Sequence, residues 1–389
     1  MKGGTSLYLD IVRFSAAMVV FSEHVREHTR GSLHDFWGRH PFWYTHSFLY
    51  SQMAVIVFFA LSGYVIAHVL TTRERDPVLF AASRLARLYS VVLPALLLTV
   101  VTNHFEEARY PAAFQDFNAL GDAGMALHYA GTALFANRFW LWQNLEPPNI
   151  HAIWSLGFEA VYYAGIGLFV FARGLPRVAA LLALGLVAGP SIVLLAPAWL
   201  FGYAAYHLTR RVDLAPPLAG LLWLGSGALL VACPLLEPSV RPALPYLRMP
   251  DPSLEGLLAS YAEALCFAVN ILAFGALADR AAPLLSPLSV PIRWLGSLTF
   301  ALYLFHEPLI LFVTAMTPVE ARGWPLHVPL MIVGILLAVA TAGRACEQSK
   351  EWWRRGLLSL WGGLSGSGKT PRFARSDRDF SCHPERSEE

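Results

Sequence analysis

The sequence predicts an all-α polytopic membrane protein, a bundle of about ten transmembrane helices. Three observations lead there. Apolar residues recur in blocks of about 20, the length that crosses a hydrocarbon core of roughly 30 Å. Of the 389 residues, 56% are hydrophobic and 14% charged, against about 25% charged in a typical soluble domain; the mean hydropathy is +0.47. Lys and Arg gather in alternate connections, the bias expected of cytoplasmic loops.

Taken in order, the apolar runs broken by Pro, Gly or charge cover residues 7–26, 48–70, 85–104, 152–172, 175–195, 198–209, 217–236, 257–278, 296–316 and 326–346. The first run lacks an evident small-residue cleavage motif and is read as a retained span. The run at 198–209 is short, and 175–210 allows another division. Arg73, Arg75, Arg84 and Arg87 stand between the second and third spans. Arg173 and Arg177, Arg210 and Arg211, and Arg280 and Arg293 follow at alternate later connections, and Lys350, Arg354 and Arg355 come after the last span. This distribution places both termini in the cytoplasm of a multi-pass plasma (inner) membrane protein. Arg26, Arg30 and Arg39 are the exception.

Two of the opposite connections are long. Residues 105–151 carry Phe135, Phe139, Trp140 and Trp142, which suit a membrane interface or a segment dipping into the bundle. Residues 237–256 hold five prolines and read as irregular. The division expected is a membrane domain over 1–346 and a cytoplasmic, disordered tail over 347–389, polar and rich in Ser, Arg and Gly from Gly362 onward. The tail's Gly363 to Thr370 stretch matches GxxxxGK[ST], but it lacks the flanking strand and helix that a nucleotide loop needs, so it reads as a Gly/Ser linker. The net charge of +2 is too small and dispersed to suggest nucleic acid. Cys233, Cys266, Cys346 and Cys382 form no CxxC pair and suggest neither a metal site nor a structural disulfide.

Charged groups inside apolar runs cost a few kcal/mol even on lenient insertion scales and are usually kept for function. The first span carries Arg13 and His24, eleven residues apart, so they share nearly one helix face about 16 Å apart. Alone, they read equally well as two side chains snorkelling to opposite interfaces. In the second span, Ser62 and Gly63 suit close helix packing. Arg84 and Arg87, at i and i+3, share a face and form either a phosphate clamp or a positive-inside anchor. The fourth span opens Trp154-Ser155-Leu156-Gly157-Phe158-Glu159 and continues to Tyr162-Tyr163. The ninth contains Tyr303-Leu304-Phe305-His306-Glu307-Pro308, where the proline is expected to kink the helix and free carbonyls beside His306.

These stretches, in this order, resemble the acyltransferase-3 family of integral membrane proteins, which modify extracytoplasmic sugars and related acceptors with acyl groups. The resemblance runs over roughly residues 5–346. It implies that Arg13 and His24 match the first-helix motif, with His24 in the position regarded as catalytic. Arg84 and Arg87 match the RxxR pair implicated in acyl-CoA use. Trp154, Ser155, Leu156, Glu159 and Tyr163 match WSLxxExxFY, with Tyr162 replacing Phe. Tyr303, His306 and Pro308 match YLxHxP. Three residues depart from the family's habit: Ala160 where many members have a second acid, Glu23 before His24, and Glu307 after His306.

Acyl transfer to a hydroxyl needs a base for the acceptor proton and a positive environment for the donor phosphates. The expected roles are therefore catalytic for His24, Glu159 and His306, and acyl-CoA-binding for Arg84, Arg87 and Arg13. Trp154, Ser155, Tyr163 and Tyr303 are expected to bind the acceptor or shape the site. Whether Glu159 orients a histidine or binds acceptor stays open, as does whether His24 acts as base or acyl carrier. The expected co-substrate is acyl-CoA, acetyl-CoA first, with no bound cofactor. The expected partners are a carbohydrate or glycolipid acceptor and membrane lipid. A transporter or flippase for a glycan or small acid would use the same buried charges, but no repeat or paired broken helices favours it.

Overall fold

A computed structural model describes residues 3–29, 41–142, 144–240, 256–324 and 326–364, and these form helices joined by turns without a strand among them. The helices are α1 (Gly3–Thr29), α2 (Pro41–Thr72), α3 (Pro77–Arg109), α4 (Gln115–Asn118), α5 (Gly121–Ala133), α6 (Trp154–Phe171), α7 (Gly174–Ala188), α8 (Pro190–Thr209), α9 (Pro216–Val240), α10 (Leu257–Leu285), α11 (Ser289–Met316), α12 (Val319–Arg322) and α13 (His327–Leu364). Among the described residues, eight apolar helical stretches are long enough to cross a membrane. One of them, of 60 residues, contains both α10 and α11, and the 15-residue apolar α7 is shorter. The bundle therefore agrees with an expectation of about ten spans.

Several boundaries differ from the sequence reading, each for a local reason. The break in the 175–210 stretch falls at Gly189, not near Pro197. Gly189 sits at φ 93° and ψ 171°, a backbone that favours glycine, and Pro190 follows as the first residue of α8. Pro197 lies inside α8; prolines are tolerated in transmembrane helices because neighbouring groups take up the freed carbonyl. The last helix also does not end near residue 346. It runs on to Leu364, about 57 Å in all, with the i,i+3 ion pairs Glu347–Lys350 and Glu351–Arg354 supporting the added turns. The segment 347–364 is thus helix. The rest of the expected tail, 365–389, with most of the GxxxxGK[ST] match, lies outside the described residues, as does most of the 237–256 connection. α3 begins where Asp76 caps it, its carboxylate accepting the Leu79 N–H at 2.9 Å ahead of Pro77.

α1 and α11 occupy the middle of the bundle. α1 packs on α2, α10 and α11; α11 packs on α1, α3 and α13; and α2 packs on α8. The α2–α8 contact is close because both helices present glycine. A Cβ at Gly63 would lie 2.1 Å from the Trp199 carbonyl oxygen, and one at Gly202 would lie 1.7 Å from that of Ala60. The core includes fully buried Phe21, Ile66, Leu88, Phe158, Trp199 and Phe267. Arg26, one of the charges that broke the positive-inside pattern, is buried and gripped by Glu23 at 2.9 and 2.7 Å, so its charge is compensated locally. Cys233 on α9 and Cys266 on α10, distant in sequence, are free thiols hydrogen-bonded side by side.

The described residues of the connection from 110 to 153 form an ordered cap. Glu146, buried, accepts from Arg138 at 2.5 and 3.0 Å and from Asn137 at 3.1 Å. Burial raises its carboxyl pKa, and the Arg138 charge pulls it back. Asn149, at φ 64°, donates to Asn103 at 3.0 Å and Glu106 at 2.6 Å, tying the cap to the end of α3. Of the aromatics singled out in this loop, Phe135 is buried, whereas Trp140 and Trp142 are exposed with their indole N–H groups on the carbonyls of Leu186 and Ala136.

Candidate active site

A cavity of about 360 Å³ opens between α1, α2, α3, α6, α11 and α13. One end is strongly polar. Five cationic side chains, Arg13, Arg84, Arg87, Arg293 and Lys350, outnumber the three carboxylates of Asp10, Glu159 and Glu347 along its walls. Arg13 bonds Asp10 at 2.6 Å, and Arg293 stands 3.9 Å from the other Asp10 oxygen. Arg84 is held by Glu74, outside the cavity lining, at 2.8 and 3.1 Å. Among the described residues, the buried Nε–H groups of Arg13 and Arg84 have no hydrogen-bond partner, and the cationic excess of this wall suits an anionic ligand. Gly296 lets α11 come this close: a Cβ there would meet Asp10 Cβ at 2.9 Å and Arg13 Nη2 at 3.0 Å.

Glu159 belongs to this arginine side. It accepts hydrogen bonds from Ser62 at 2.8 Å and from Tyr163, and it lies within electrostatic reach of Arg87. Ser62 also meets Tyr163 at 3.2 Å and the Trp199 indole N–H at 3.3 Å. Among the described residues, the hydrogen bonds of Glu159 thus go to Ser62 and Tyr163, and none goes to a histidine. The middle of the cavity is apolar, lined by Val55, Phe58, Phe59 and Leu156, and its far end is bounded by Ser155 and Tyr303, whose hydroxyls are 2.9 Å apart. Trp154 is not on the wall; it packs edge-on against Phe59 and Phe158 and shapes the lining from behind.

His24 and His306 stand beyond that end. Their rings are 4.8 Å apart, with His24 Nδ1 2.8 Å from His306 Nε2. His306 is completely buried, and its Nδ1 lies 2.8 Å from the Leu302 carbonyl one turn back in α11. This carbonyl is not one that Pro308 frees, since a proline at 308 lacks the N–H that would bond the carbonyl of Leu304. The geometry fixes the tautomers of the neutral pair. A carbonyl only accepts, so His306 carries its hydrogen on Nδ1 and accepts at Nε2. His24 must then donate from Nδ1, which leaves the lone pair on His24 Nε2 available to take a proton. One turn from His306, Tyr303 has its ring 6.4 Å away and connects the histidines to the cavity's end.

The carboxylate beside the histidines is Glu307, a charge inside the ninth apolar run to which the sequence assigned no role. It is buried, accepts from His151 Nδ1 at 2.6 Å and from the Ala152 backbone N–H at 3.2 Å, and lies within electrostatic reach of His24 and His306. Asp10, Ser62, His151, Arg293, Glu347 and Lys350 were missed as well. Only their juxtaposition marks them; each is an ordinary interfacial or packing residue when read along the chain.

All ten residues expected at the site thus fall into one column through the bundle: seven on the cavity wall, two just past its end and Trp154 behind it. A profile of the acyltransferase-3 family, described as an acyltransferase domain, matches residues 6–343. No curated protein and no solved structure matches the chain. A helical membrane bundle matched by that domain over nearly its whole length is a membrane acyltransferase, and the chain belongs to the acyltransferase-3 family.

Proposed function

We propose that the protein moves an acyl group, acetyl first, from acyl-CoA to a hydroxyl of an extracytoplasmic carbohydrate or related acceptor. In this reading the arginine end faces the cytoplasm of a plasma (inner) membrane with both termini inside. Arg84, Arg87 and Arg13 hold the donor phosphates, and the thioester extends through the apolar middle toward His24. The observation that carries the proposal is the polarity of the column: an excess of cationic side chains at one end, and at the other a histidine whose Nε2 is left as a base by its bond to His306.

The chemistry follows from those tautomers. His24 Nε2 takes the proton of the acceptor hydroxyl as its oxygen attacks the thioester carbonyl carbon. The carbon–sulfur bond breaks as the tetrahedral intermediate collapses, and the His24 imidazolium returns the proton to the CoA thiolate. While the imidazolium exists, its Nδ1–H stays on His306 Nε2 and the Glu307 carboxylate offsets its charge. The Ser155–Tyr303 bond lies on the path, so passage of the thioester requires Tyr303 to swing aside. Glu159, anchored by Ser62 and Tyr163, tunes the arginine end by its charge near Arg87.

The test is transfer of label from radiolabelled acetyl-CoA to the host's extracytoplasmic glycans. Membranes with the native protein are compared with membranes carrying His24→Ala at equal abundance. Label that depends on His24 supports the proposal; label that persists in His24→Ala removes His24 from the reaction.

A further inference from the structure

The family match ends at residue 343, yet the wall of the donor cavity does not: α13 continues past it and contributes Glu347 and Lys350 to the lining. Glu347 pairs with Lys350 and lies within electrostatic reach of both Arg13 and Arg87. Its carboxylate thus takes part in the same cationic group that the donor phosphates would engage. Both side chains are long and about half exposed, at 47% and 41% for Glu347 and Lys350, so each can turn without disturbing the core. The added turns are anchored where they need to be: Trp353 rests against Tyr89 of α3 with rings 6.2 Å apart, and the adjoining Ser90 and Val91 line the cavity.

We propose that this extension of α13 completes the donor site, with Lys350 as a further phosphate-binding residue and Glu347 as an internal anion that competes with the donor's phosphates for the arginines. The proposal rests on the acyl-CoA reading above and deepens it. When the phosphates enter, Lys350 exchanges the Glu347 carboxylate for a phosphate oxygen, a partner of the same sign and higher charge. Lys350 then favours nucleotide thioesters over thioesters that lack phosphates, and Glu347 offsets part of that gain because its release must be repaid.

The experiment is steady-state transfer by the full-length protein with two donors, acetyl-CoA and acetyl-pantetheine, which share the thioester but differ in the phosphates. Lys350→Ala is expected to raise KM for acetyl-CoA about three- to tenfold with kcat unchanged. Glu347→Gln is expected to lower that KM about threefold. Acetyl-pantetheine kinetics should stay within about twofold of native in both variants, and added salt should shrink the acetyl-CoA effects. Equal shifts with both donors, or no shift with either, would overturn the proposal. Native protein that uses acetyl-pantetheine as well as acetyl-CoA would instead remove the acyl-CoA reading itself, so the native control separates the two failures.

Discussion

Replacing His306 with Ala removes the acceptor that holds His24 in its productive tautomer. In the native protein His306 is fully buried and fixed at both nitrogens, to Leu302 at 2.8 Å and to His24 at 2.8 Å. Losing the second bond leaves the His24 Nδ1–H without its partner, at a cost of about 1–3 kcal/mol in the geometry that reacts. That corresponds to a fall in kcat of roughly 5- to 150-fold. His24→Ala, which deletes the base, should cost about 10²- to 10⁴-fold. The arginine end is more than two helical turns away, so KM for acetyl-CoA should hold. The assay is initial-rate acetyl transfer across a range of acetyl-CoA concentrations, with detergent-solubilised monodispersity as the folding control. A kcat unchanged by His306→Ala would refute the relay. A loss as deep as that of His24→Ala would also refute it, since His306 would then be the base.

Three further outcomes follow from contacts elsewhere in the column. Gly296→Ala places a Cβ 2.9 Å from Asp10 and 3.0 Å from Arg13, so the Asp10–Arg13 pair must shift; acetyl-CoA KM should rise about tenfold, about 1.4 kcal/mol, with little change in kcat. Gly202→Val drives a side chain into the Ala60 carbonyl, where backbone cannot yield; the loss should reach about 3 kcal/mol or more, read as a lowered Tm and poor accumulation. Arg138→Ala removes the charge that offsets burial of Glu146. With its pKa raised in the fold, Glu146 favours the native state while protonated, and that contribution is lost as pH rises through the folded pKa. The drop in Tm caused by Arg138→Ala should therefore be larger at about pH 8 than at about pH 5, whereas loss of packing alone would give the same drop at both.

Much of this arrangement was legible along the chain. The recurrence of apolar blocks fixes the bundle because no other soluble or barrel pattern satisfies runs of that length. Arg13 stands out as a charge inside the first apolar run and Arg84 and Arg87 as an i,i+3 pair at the mouth of the third, and the structure brings all three to one cavity. His24 and His306 were both singled out, but the contact between them was not, since 282 positions separate them and helix periodicity carries no information on which helices touch. Glu159 stands out as a charge inside the fourth span, and nothing along the chain points to Ser62, which draws it to the arginine side. Glu307 stands out as a charge inside the ninth run and as a departure from the family's habit, but no role follows from the chain alone; its meaning lies in His151 and Ala152 on another segment. The continuation of α13 was hidden by its charges, which resemble a solvated tail until their i,i+3 pairing is noticed.

The central claim is that donor and acceptor meet from opposite ends of one column, and sidedness tests it most directly. Sealed, inverted membrane vesicles expose the cytoplasmic face, so labelled acetyl-CoA added outside reaches only the arginine end. The account predicts that label appears on acceptor enclosed in the lumen, and that it vanishes with His24→Ala while acetyl-CoA still binds. Label that forms only when acceptor is supplied on the same side as acetyl-CoA would contradict it.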